Sequence, residues 1–216
     1  MKKIVIIDYG LSNLHSVKNA FDFFGVDAII SQKTEDADMA DVIILPGVGA
    51  FEDGMKKLDA LGLLDVIRQK AASGTPILGI CLGMQMLFDE SEEFGLHNGL
   101  GLIPGRVERI PDEDINGVKQ KIPHISWNPL YPHEGDVDFG EGILDGIRAG
   151  DECYFIHSFE AKPTYSEHCL AETLYGGRRI CAVVRKDNVM GTQFHPEKSG
   201  EVGSRIIKRF IEMYCV

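Results

Sequence analysis

A cysteine between two glycines is the first feature of the sequence that suggests chemistry. Cys81 lies in GICLGMQML, residues 79–87, between the apolar run PILGI and a helical pattern. At such a junction a nucleophile is held on a sharp turn, and Gly79 and Gly83 avoid collisions with the neighbouring strand and helix. An isolated cysteine in an apolar segment is more often a buried hydrophobe. The paired glycines instead favour a thiol nucleophile, whose thiolate the helix N-terminus stabilises.

A histidine and a glutamate two residues apart form the second feature. His195 and Glu197 lie in QFHPEKS, residues 193–199, where an extended segment would project both side chains to one side. A thiolate nucleophile needs a base that returns its proton to the leaving group, and that base needs an acceptor to orient it. Taken alone the pair is more often incidental, and a metal site is less favoured because no second ligand pair has the required spacing. Together with Cys81 it completes a predicted catalytic triad.

The loop LPGVGAF, residues 45–51, is the third feature. It follows the apolar run DVIIL, and in an open parallel sheet ligands gather beyond the carboxyl ends of the strands, which places the loop beside the cysteine. Gly47 and Gly49 allow the backbone to approach a substrate closely. We predict that an amide near Val48 and the N–H of Leu82 bind the oxyanion of a tetrahedral intermediate. PGxG alone is equally typical of an ordinary loop.

The first half of the chain must supply the sheet that positions these residues. Four unbroken apolar runs of strand length alternate with amphipathic segments, which is the pattern of a parallel sheet covered by helices. The predicted strands cover residues 3–7, 26–30, 41–45 and 76–80. Helices are predicted from Leu14 to Phe24 and from Leu61 to Ala71, where apolar residues recur three and four positions apart.

The second half predicts an antiparallel β extension. Short β segments lie at residues 106–110, 119–123, 152–159, 169–173, 180–185 and 189–194, with turn residues at 176–179 and 186–188. The tail from Ser199 to Tyr214 has helical spacing, with Ser199 as a candidate N-cap. The predicted fold class is therefore α/β, with a mostly parallel central sheet flanked by helices and an antiparallel β extension, in a single domain over 1–216.

Composition limits the possible function classes. With 216 residues, of which 44% are hydrophobic and 25% charged, the chain is typical of a globular domain. No apolar stretch approaches the roughly 18 residues of a membrane span, which favours a soluble, cytoplasmic protein. A net charge of −11 argues against nucleic-acid binding. The five cysteines, an odd number without CxxC pairs, suggest neither disulfides nor zinc, and no metal or cofactor is expected.

The three features together, in this order, resemble the class I, triad-type glutamine amidotransferases. The resemblance extends from Asp8 to Ser199, and the combination of GxCLGxQ with FHPE is highly specific. It implies a flavodoxin-like fold. It also implies a glutaminase with Cys81 as nucleophile, His195 as general acid and base, and Glu197 orienting the imidazole.

The same resemblance assigns the substrate contacts. It implies that Gln85 contacts the glutamine, that the backbone at Ser158 and Phe159 holds its α-amino-acid end, and that PGVG is the oxyanion strand. The implied reaction is hydrolysis of L-glutamine to glutamate and ammonia through a cysteine thioester. A cysteine hydrolase or peptidase on a related sheet is an alternative that Gln85 and PGVG disfavour. The intact triad disfavours a non-enzymatic scaffold.

Several segments narrow the resemblance to the glutaminase subunits of imidazole glycerol phosphate synthase, namely IDYGLSNLHSV, PHISWNPL, YFIHSF and FHPEKS. This implies a heterodimer with a (β/α)₈-barrel cyclase, which receives ammonia through an internal passage and forms imidazole glycerol phosphate and AICAR in histidine biosynthesis. Glutaminase activity is then expected to be low without the partner. The sequence departs from the usual pattern at Leu11, Ser12, Ser126 and Phe159. These departures leave open a paralogue that serves another acceptor, such as a surface-sugar synthase.

An exposed tryptophan is expected at the partner interface. Trp127 lies among loop-forming and polar residues in PHISWNPL, and an exposed indole is typical of a partner anchor. A single tryptophan is by default more often buried. The resemblance adds Asn13, Asn128 and Lys198 as interface positions. The alternatives for Asn13 and Lys198 are a helix N-cap and a solvated lysine.

Overall fold

The computed structural model describes residues 2–11, 13–133 and 138–216, so the departure at Ser12 lies outside the described residues. The strands are β1 (Ile4–Ile7), β2 (Ala28–Ser31), β3 (Val42–Gly47), β4 (Ile77–Cys81), β5 (Phe88–Ser91), β6 (His97–Asn98), β7 (Ile103–Arg109), β8 (His124–Pro132), β9 (Glu152–His157), β10 (Phe159–Pro163), β11 (Cys169–Tyr175), β12 (Arg178–Lys186) and β13 (Val189–Thr192). The helices are α1 (Leu14–Asp22), α2 (Thr34–Asp38), α3 (Phe51–Ala60), α4 (Leu63–Ala72), α5 (Leu82–Met86) and α6 (Gly200–Tyr214). Two 3₁₀ turns cover Ser166–His168 and Pro196–Lys198.

One large sheet organises the fold. Within the described ranges it contains nine strands, in the order β2-β1-β3-β4-β13-β12-β11-β8-β9. The strands from β2 to β13 are parallel. From β13 to β9 each strand is antiparallel to its neighbour. The turns at 176–179 and 186–188 join β11 to β12 and β12 to β13, so the predicted α/β fold with a parallel core and an antiparallel extension is confirmed.

Helices cover both faces of the parallel strands because each of these strands is apolar on both sides. Val17 of α1 and Phe210 of α6 pack on one face, where the rings of Phe21 and Phe210 meet edge to face at 6.4 Å. On the other face α3 and α4 bury Leu58 and Ile67. All five side chains are at most 2% exposed. Burying each large apolar side chain contributes about 1.5 to 3 kcal/mol.

The helices α1, α4 and α6 follow the predicted segments, whereas α3 was not predicted. Gly54 lies in the middle of α3 and lowers its helix propensity. A Cβ at this position would come 2.7 Å from the sulfur of Met86, so the glycine lets α3 pack closely on the Met86 side chain. Leu61 lies in the turn before α4 rather than in the helix. In the part of the chain described, no helix is both long enough and apolar enough to cross a membrane.

A second sheet of four strands, in the order β10-β7-β5-β6, lies beside the large one in the described structure. The apolar run at 152–159 is therefore not one strand, as predicted, but two. β9 belongs to the large sheet and β10 to the small one, and the chain changes sheet at Ser158. Because of this change, Ser158 and Phe159 reach a cavity next to the end of β4.

The strand predicted over residues 119–123 is wrong. In the described part of this segment, Lys119 forms only an isolated bridge, to Glu113. The carboxylate of Asp114 accepts two backbone N–H groups of the loop before Lys119 and closes a turn there. The backbone polar groups of this region are thus used in a local turn, and sheet pairing resumes only with β8.

Candidate active site

Cys81 is the last residue of β4, and its backbone makes a strained turn into α5. Its backbone has φ 55° and ψ −110°, a conformation that residues with a side chain rarely adopt. A Cβ on Gly79 would come 2.7 Å from the amide nitrogen of Met84, and a Cβ on Gly83 would overlap the carbonyl oxygen of Leu45. Close packing of backbone against backbone therefore requires both glycines, and it fixes the backbone that carries the thiol.

The helix after Cys81 is shorter than predicted. α5 ends at Met86, and Phe88 already belongs to β5, where it pairs with Ile103. The pairing with β7 draws the chain out of the helix after little more than one turn. So short a helix has a small dipole. The stabilisation of a thiolate that we expected from this helix is therefore reduced.

The thiol of Cys81 contacts both halves of the large sheet. The residue is only 6% exposed. Its Sγ donates a weak hydrogen bond to the carbonyl of Ile156 in β9, at 3.8 Å, and accepts one from Nε2 of Gln193, which follows β13, also at 3.8 Å. The position of the sulfur therefore depends on the antiparallel extension as well as on the parallel strand that carries it.

His195 and Glu197 form a buried pair directly after β13. Nδ1 of His195 lies 2.8 Å from Oε1 of Glu197, and both side chains are at most 4% exposed. Nε2 of His195 is buried and has no well-aligned hydrogen-bond partner among the described residues. Burial favours the neutral imidazole, but interactions with Cys81 and Glu197 outweigh burial and raise the pKa of His195 to about 10. The site thus favours an imidazolium at His195.

The extended conformation predicted for this segment is wrong. Pro196–Lys198 form a 3₁₀ turn, which the fixed φ of proline accommodates at its first position. The hydroxyl of Ser199 donates to the carbonyl of His195 at 2.6 Å and accepts the N–H of Tyr154 at 3.0 Å. Ser199 occupies the N-cap position of α6 but makes no side-chain cap bond. Its side chain instead ties the histidine to β9.

The predicted substrate-binding residues surround a cavity of about 270 Å³ that Cys81 also lines. Pockets for drug-sized ligands measure about 300 to 1,000 Å³, so this one fits a small metabolite. Six of the seven predicted residues line it: Val48, Gly49, Leu82, Gln85, Ser158 and Phe159. The seventh, Gly47, is the last residue of β3 and lies opposite Cys81 in the register of the sheet.

The structure shows a resting arrangement of the predicted oxyanion strand, which the sequence alone leaves open. The N–H of Val48 donates to the carbonyl of Leu11 at 2.7 Å, so in this conformation it is not available to an oxyanion. Gly49 has φ 105°, and a Cβ there would meet nothing within 4 Å. Gly47 is more constrained, because a Cβ would collide with the hydroxyl of the buried Tyr9. The strand is therefore fixed up to Gly47, and the loop after it has room to rearrange.

Gln85 connects the nucleophile to the small sheet. Its Nε2 donates to the carbonyl of Phe159 at 3.1 Å and to Oε1 of Gln193 at 3.0 Å. Gln193 in turn donates to the sulfur of Cys81. Sequence reasoning missed Gln193, although it is the first residue of QFHPEKS. Its position two residues before the predicted base is the signal that could have identified it.

A carboxylate that the sequence analysis did not identify also lines the cavity. Oε2 of Glu93 accepts the N–H of Phe51 at 2.7 Å, at the N-terminus of α3. Burial raises the pKa of the Glu93 carboxyl, and the hydrogen bond from Phe51 opposes this shift. Glu93 lies in SEEFG, within a loop with several acidic residues, and no spacing distinguishes it from its neighbours.

Two buried histidines support the wall formed by Ser158 and Phe159. Nδ1 of His157 lies 2.7 Å from the carbonyl of Phe159, and its Nε2 lies 3.0 Å from Nδ1 of His124. Because a carbonyl only accepts, His157 donates from Nδ1 and accepts from His124. Burial lowers the pKa of His157 to about 3 and that of His124 to about 4, so both rings are neutral at pH 7. Nε2 of His124 contacts Oγ of Ser126 at 2.9 Å.

An apolar stripe, formed by Ile125, Trp127, Tyr154 and Ile156, crosses β8 and β9 beside the cavity. Trp127 is 49% exposed and lies against Tyr154, with ring centroids 6.0 Å apart. The indole is exposed, as predicted. The prediction that Trp127 lies in a loop is wrong, because Trp127 belongs to β8 and pairs with Tyr154 of β9. Ile156 both pairs with Ile125 and lines the cavity. The apolar stripe therefore extends to the mouth of the cavity.

The other predicted interface residues lie at the surface or next to the apolar stripe. Asn128 follows Trp127 in β8 and donates from Nδ2 to a backbone carbonyl of β11 at 2.7 Å. Lys198 is exposed two residues before Gly200, where a Cβ would lie 3.8 Å from the indole of Trp127. Asn13 is exposed at the N-cap position of α1 but makes no side-chain cap bond, so its side chain does not perform the capping role considered for it.

Comparison with curated proteins identifies relatives along nearly the whole chain. Residues 5–213 match the family described as glutamine amidotransferase class-I. The chain is 48% identical over 213 residues to the imidazole glycerol phosphate synthase subunit HisH 1 of Legionella pneumophila (strain Lens), with 99% of this chain and 100% of that protein covered. It is 47% identical to the subunit HisH of Syntrophotalea carbinolica, with 97% and 100% covered. It is also 47% identical to the subunit HisH of Geobacillus thermodenitrificans, with 98% and 96% covered.

Solved structures agree on the fold. One described as the crystal structure of a glutamine amidotransferase has a TM-score of 0.73 at 21% identity, with 98% of this chain and 99% of that chain covered. The structure of PurLQS from Thermotoga maritima has a TM-score of 0.69 at 20% identity, with 99% of each chain covered. At these identities the likeness concerns the fold alone. The family match and the close relatives together show that this chain is an enzyme of the class I glutamine amidotransferase family.

Proposed function

We propose that the chain is the glutaminase subunit of an imidazole glycerol phosphate synthase and hydrolyses L-glutamine to glutamate and ammonia. The names of relatives at 47% and 48% identity support this proposal. The observation that carries the chemistry is the buried 2.8 Å contact between His195 and Glu197. The imidazole of His195 also interacts with the thiol of Cys81. In this proposal residues 1–216 act as one cytoplasmic glutaminase domain that needs no cofactor.

The first half-reaction forms a thioester. The thiolate of Cys81 attacks the side-chain carboxamide carbon of glutamine, a C–S bond forms, and the carbonyl electron pair moves to oxygen. His195, kept protonated by its raised pKa, gives the proton on Nε2 to the amide nitrogen as the C–N bond breaks. Ammonia leaves, and a γ-glutamyl thioester and a neutral imidazole remain.

The second half-reaction releases glutamate. Nε2 of the neutral His195 takes a proton from water as the water oxygen attacks the thioester carbon. The C–S bond then breaks, which regenerates the thiolate of Cys81 beside the imidazolium. Glu197 holds the ring through Nδ1 in both halves and stabilises its positive charge. The three side chains therefore act as a unit.

The cavity also has groups that suit the α-amino-acid end of glutamine. The carboxylate of Glu93 is an acceptor for the α-ammonium group, by a charge-assisted hydrogen bond. The change of sheet at Ser158 brings backbone groups of Ser158 and Phe159 to the same wall. Gln85 holds the carbonyl of Phe159 in place, so in this proposal it shapes the subsite as well as lining it.

The apolar stripe is the surface on which we place the subunit that uses ammonia. Exposed aromatic and aliphatic side chains clustered beside a cavity are typical of a docking surface. The relatives are named as subunits of a synthase, which supports a separate partner. In this proposal the partner is a (β/α)₈-barrel cyclase in a heterodimer, with Asn13, Asn128 and Lys198 as further contacts. It receives the ammonia and forms imidazole glycerol phosphate and AICAR.

The partner also completes the oxyanion site in this proposal. The N–H of Val48 is bonded to the carbonyl of Leu11 in the chain alone. Loss of one oxyanion donor typically lowers turnover by about a hundredfold to a thousandfold. Docking beside the cavity would turn this amide toward the substrate, so glutamine is hydrolysed mainly when ammonia can be used.

The test is glutamate release by the chain alone and in the presence of the barrel subunit with the substrate that accepts the ammonia. We expect slow release alone, a rise of about a hundredfold or more with the partner, and loss of release in Cys81→Ala in the same complex. Strong release alone that the partner leaves unchanged would contradict the gating. Stimulation by a surface-sugar synthase and not by the histidine-pathway cyclase would assign the chain to a paralogous pathway.

A further inference from the structure

A buried hydroxyl without a hydrogen-bond partner lies against the oxyanion strand. Tyr9 follows β1 and is 2% exposed, and its hydroxyl bonds to no described group. Buried polar groups in folded proteins are almost always paired, because an unpaired group loses its bond to water and gains nothing in return. The hydroxyl of Tyr9 is therefore a candidate for a bond that forms in another conformation of the chain.

The absence of a side chain at Gly47 makes room for this hydroxyl. A Cβ at Gly47 would lie 1.9 Å from the hydroxyl oxygen of Tyr9 and 3.2 Å from its Cζ. Since a Cβ lies about 1.5 Å from its Cα, the hydroxyl oxygen is within about 3.4 Å of the Cα of Gly47. Rotation of the peptide after Gly47 therefore swings the Gly47 carbonyl around a Cα that the hydroxyl already contacts.

Turning the N–H of Val48 into the cavity also moves the carbonyl of Gly47. The two groups belong to one planar trans peptide and point in opposite directions. In the resting conformation the N–H points to the carbonyl of Leu11, so the Gly47 carbonyl points away from it. When the peptide turns over, the carbonyl of Gly47 faces the segment that carries Tyr9 and Leu11. There it meets the Leu11 carbonyl, which is another acceptor, and it needs a donor.

The hydroxyl of Tyr9 can serve as that donor. A phenolic O–H has one hydrogen to donate. Burial, and to a lesser degree the nearby Cys81, raise the pKa of the Tyr9 hydroxyl far above its usual range, so the group keeps its proton. The ring packs between β3 and α3, because a Cβ on Gly54 would also come within 3.6 Å of it. The donor is therefore held at Gly47 before the peptide turns.

We propose that the hydroxyl of Tyr9 donates to the carbonyl of Gly47 when the N–H of Val48 turns toward the substrate, so that Tyr9 is a positioning residue of the oxyanion site. This inference rests on the proposed glutaminase function. The resting conformation has the bond from Val48 to Leu11, and the turned conformation has the bond from Tyr9 to Gly47 in its place. One bond replaces the other, so a modest contribution from a partner is enough to shift the population.

The experiment compares Tyr9→Phe with the unchanged chain in glutamate release, alone and with the barrel subunit. The substitution removes the hydroxyl and keeps the ring. We expect kcat of the chain alone to fall about threefold to tenfold, because loss of one hydrogen bond lowers the turned population by that factor. KM for glutamine should stay within about twofold, since the hydroxyl does not touch the substrate. With the partner, which already favours the turned conformation, the decrease should be smaller.

Two further measurements distinguish positioning from a purely structural role. The hydroxyl has no partner in the resting conformation, so Tyr9→Phe should not lower the Tm of the chain. Alkylation of Cys81 by iodoacetamide should stay within about twofold, because it needs no oxyanion donor. Tyr214→Phe, at a half-buried tyrosine of α6, is the control and should leave kcat unchanged.

The outcomes separate this inference from the proposed function. If the unchanged chain releases no glutamate either alone or with the partner, the proposed function fails and this inference fails with it. If release persists and Tyr9→Phe leaves kcat unchanged, only this inference is overturned, whether or not the Tm falls. An equal decrease in kcat and in the alkylation rate would place the effect of the hydroxyl at the thiol of Cys81 and would also overturn it.

Discussion

Two adjacent strands, β3 and β4, end at the same edge of the sheet, and both contribute to the cavity. They differ in how firmly the backbone at their ends is held and in whether its polar groups face the cavity. At the end of β4, backbone packing at Gly79 and Gly83 holds Cys81 in a strained conformation beside its histidine. Past the end of β3, the N–H of Val48 is bonded to a carbonyl outside the cavity, and the following Gly49 is surrounded by open space. The proposed nucleophile is in place, and the proposed oxyanion donor is not.

This difference shows how one fold can position a reactive side chain while the hydrogen-bond donor needed for turnover points away from the cavity. The side chains of Cys81 and His195 are positioned by contacts within the chain that do not depend on substrate. Stabilisation of the transition state depends on a donor whose orientation is decided by one hydrogen bond. An interaction elsewhere on the molecule can therefore control turnover through the β3 loop while the contacts around Cys81 stay unchanged.

The largest expected effect concerns the β4 side. Cys81→Ala should lower glutamate release in the complex by about 10⁴-fold or more, because members of a triad act as a unit. Cys215→Ala is the matched control, since Cys215 is 7% exposed and Cys81 is 6% exposed. Release is measured by a coupled glutamate assay. Retention of more than about a tenth of the activity by Cys81→Ala would remove the nucleophile from the mechanism.

The next prediction compares a glycine of α5, which follows β4, with a glycine of the loop after β3. Gly83→Ala should lower the free energy of unfolding by about 3 kcal/mol, because its Cβ would overlap the carbonyl of Leu45. Gly49→Ala should cost about 1 to 2 kcal/mol, from its positive φ alone, and leave the fold intact. Urea unfolding followed by circular dichroism measures both. Equal urea midpoints for the two variants would mean that the loop after β3 is as constrained as the turn from β4 into α5 at Cys81.

A third prediction separates reactivity from turnover. Alkylation by iodoacetamide needs a thiolate but no oxyanion donor, so the chain alone should be modified first at Cys81, as identified by mass spectrometry. Adding the partner should raise glutamine turnover about a hundredfold or more while the alkylation rate stays within about twofold. If the partner accelerated both reactions equally, the control would act on the thiol rather than on the β3 loop.

The smallest expected effect concerns the histidines that support the Phe159 wall. In the unfolded chain a histidine has a pKa near 6.5, whereas burial lowers the pKa of His157 to about 3 and that of His124 to about 4. Above pH 6.5 both states are neutral and stability does not change. Below pH 6.5 the unfolded chain takes up protons that the folded chain excludes, so stability falls as the pH decreases toward 4.

The expected loss is about 1 to 2 kcal/mol per histidine at pH 5 relative to pH 7. Thermal unfolding at both pH values measures it. His157→Gln should reduce this acid sensitivity, while the control His15→Gln, at an exposed position, should not. An unchanged sensitivity in His157→Gln would indicate that the ring is protonated in the folded state.

The parallel strands and the convergence of the three proposed triad residues could be predicted because side-chain type encodes them directly. Strands β1 to β4 are continuous apolar runs, and Cys81 is recognisable from the glycines on either side of it. The triad residues, although far apart in sequence, follow strands β4 and β13, which are neighbours in the sheet. The geometry of parallel strands then brings the two segments together.

What could not be predicted depends on backbone direction or on tertiary packing. Every residue has an N–H, so nothing in the sequence indicates that the N–H of Val48 points to Leu11. Gly54 weakens the pattern of α3 but fits against Met86, which only the folded chain shows. Trp127 was expected in a loop because polar residues and prolines surround it, although the strand pairing of β8 with β9 decides its conformation.

The two glycines around Cys81 have a consequence for how such sequences are interpreted. Their collisions would be with Met84 and Leu45, whatever side chain stands between them. A descendant that replaced the thiol and lost hydrolysis would still need both glycines in order to fold. The glycine pair therefore indicates the fold rather than the activity. In this proposal, only the presence of both the cysteine and the histidine distinguishes an active member from an inactive one.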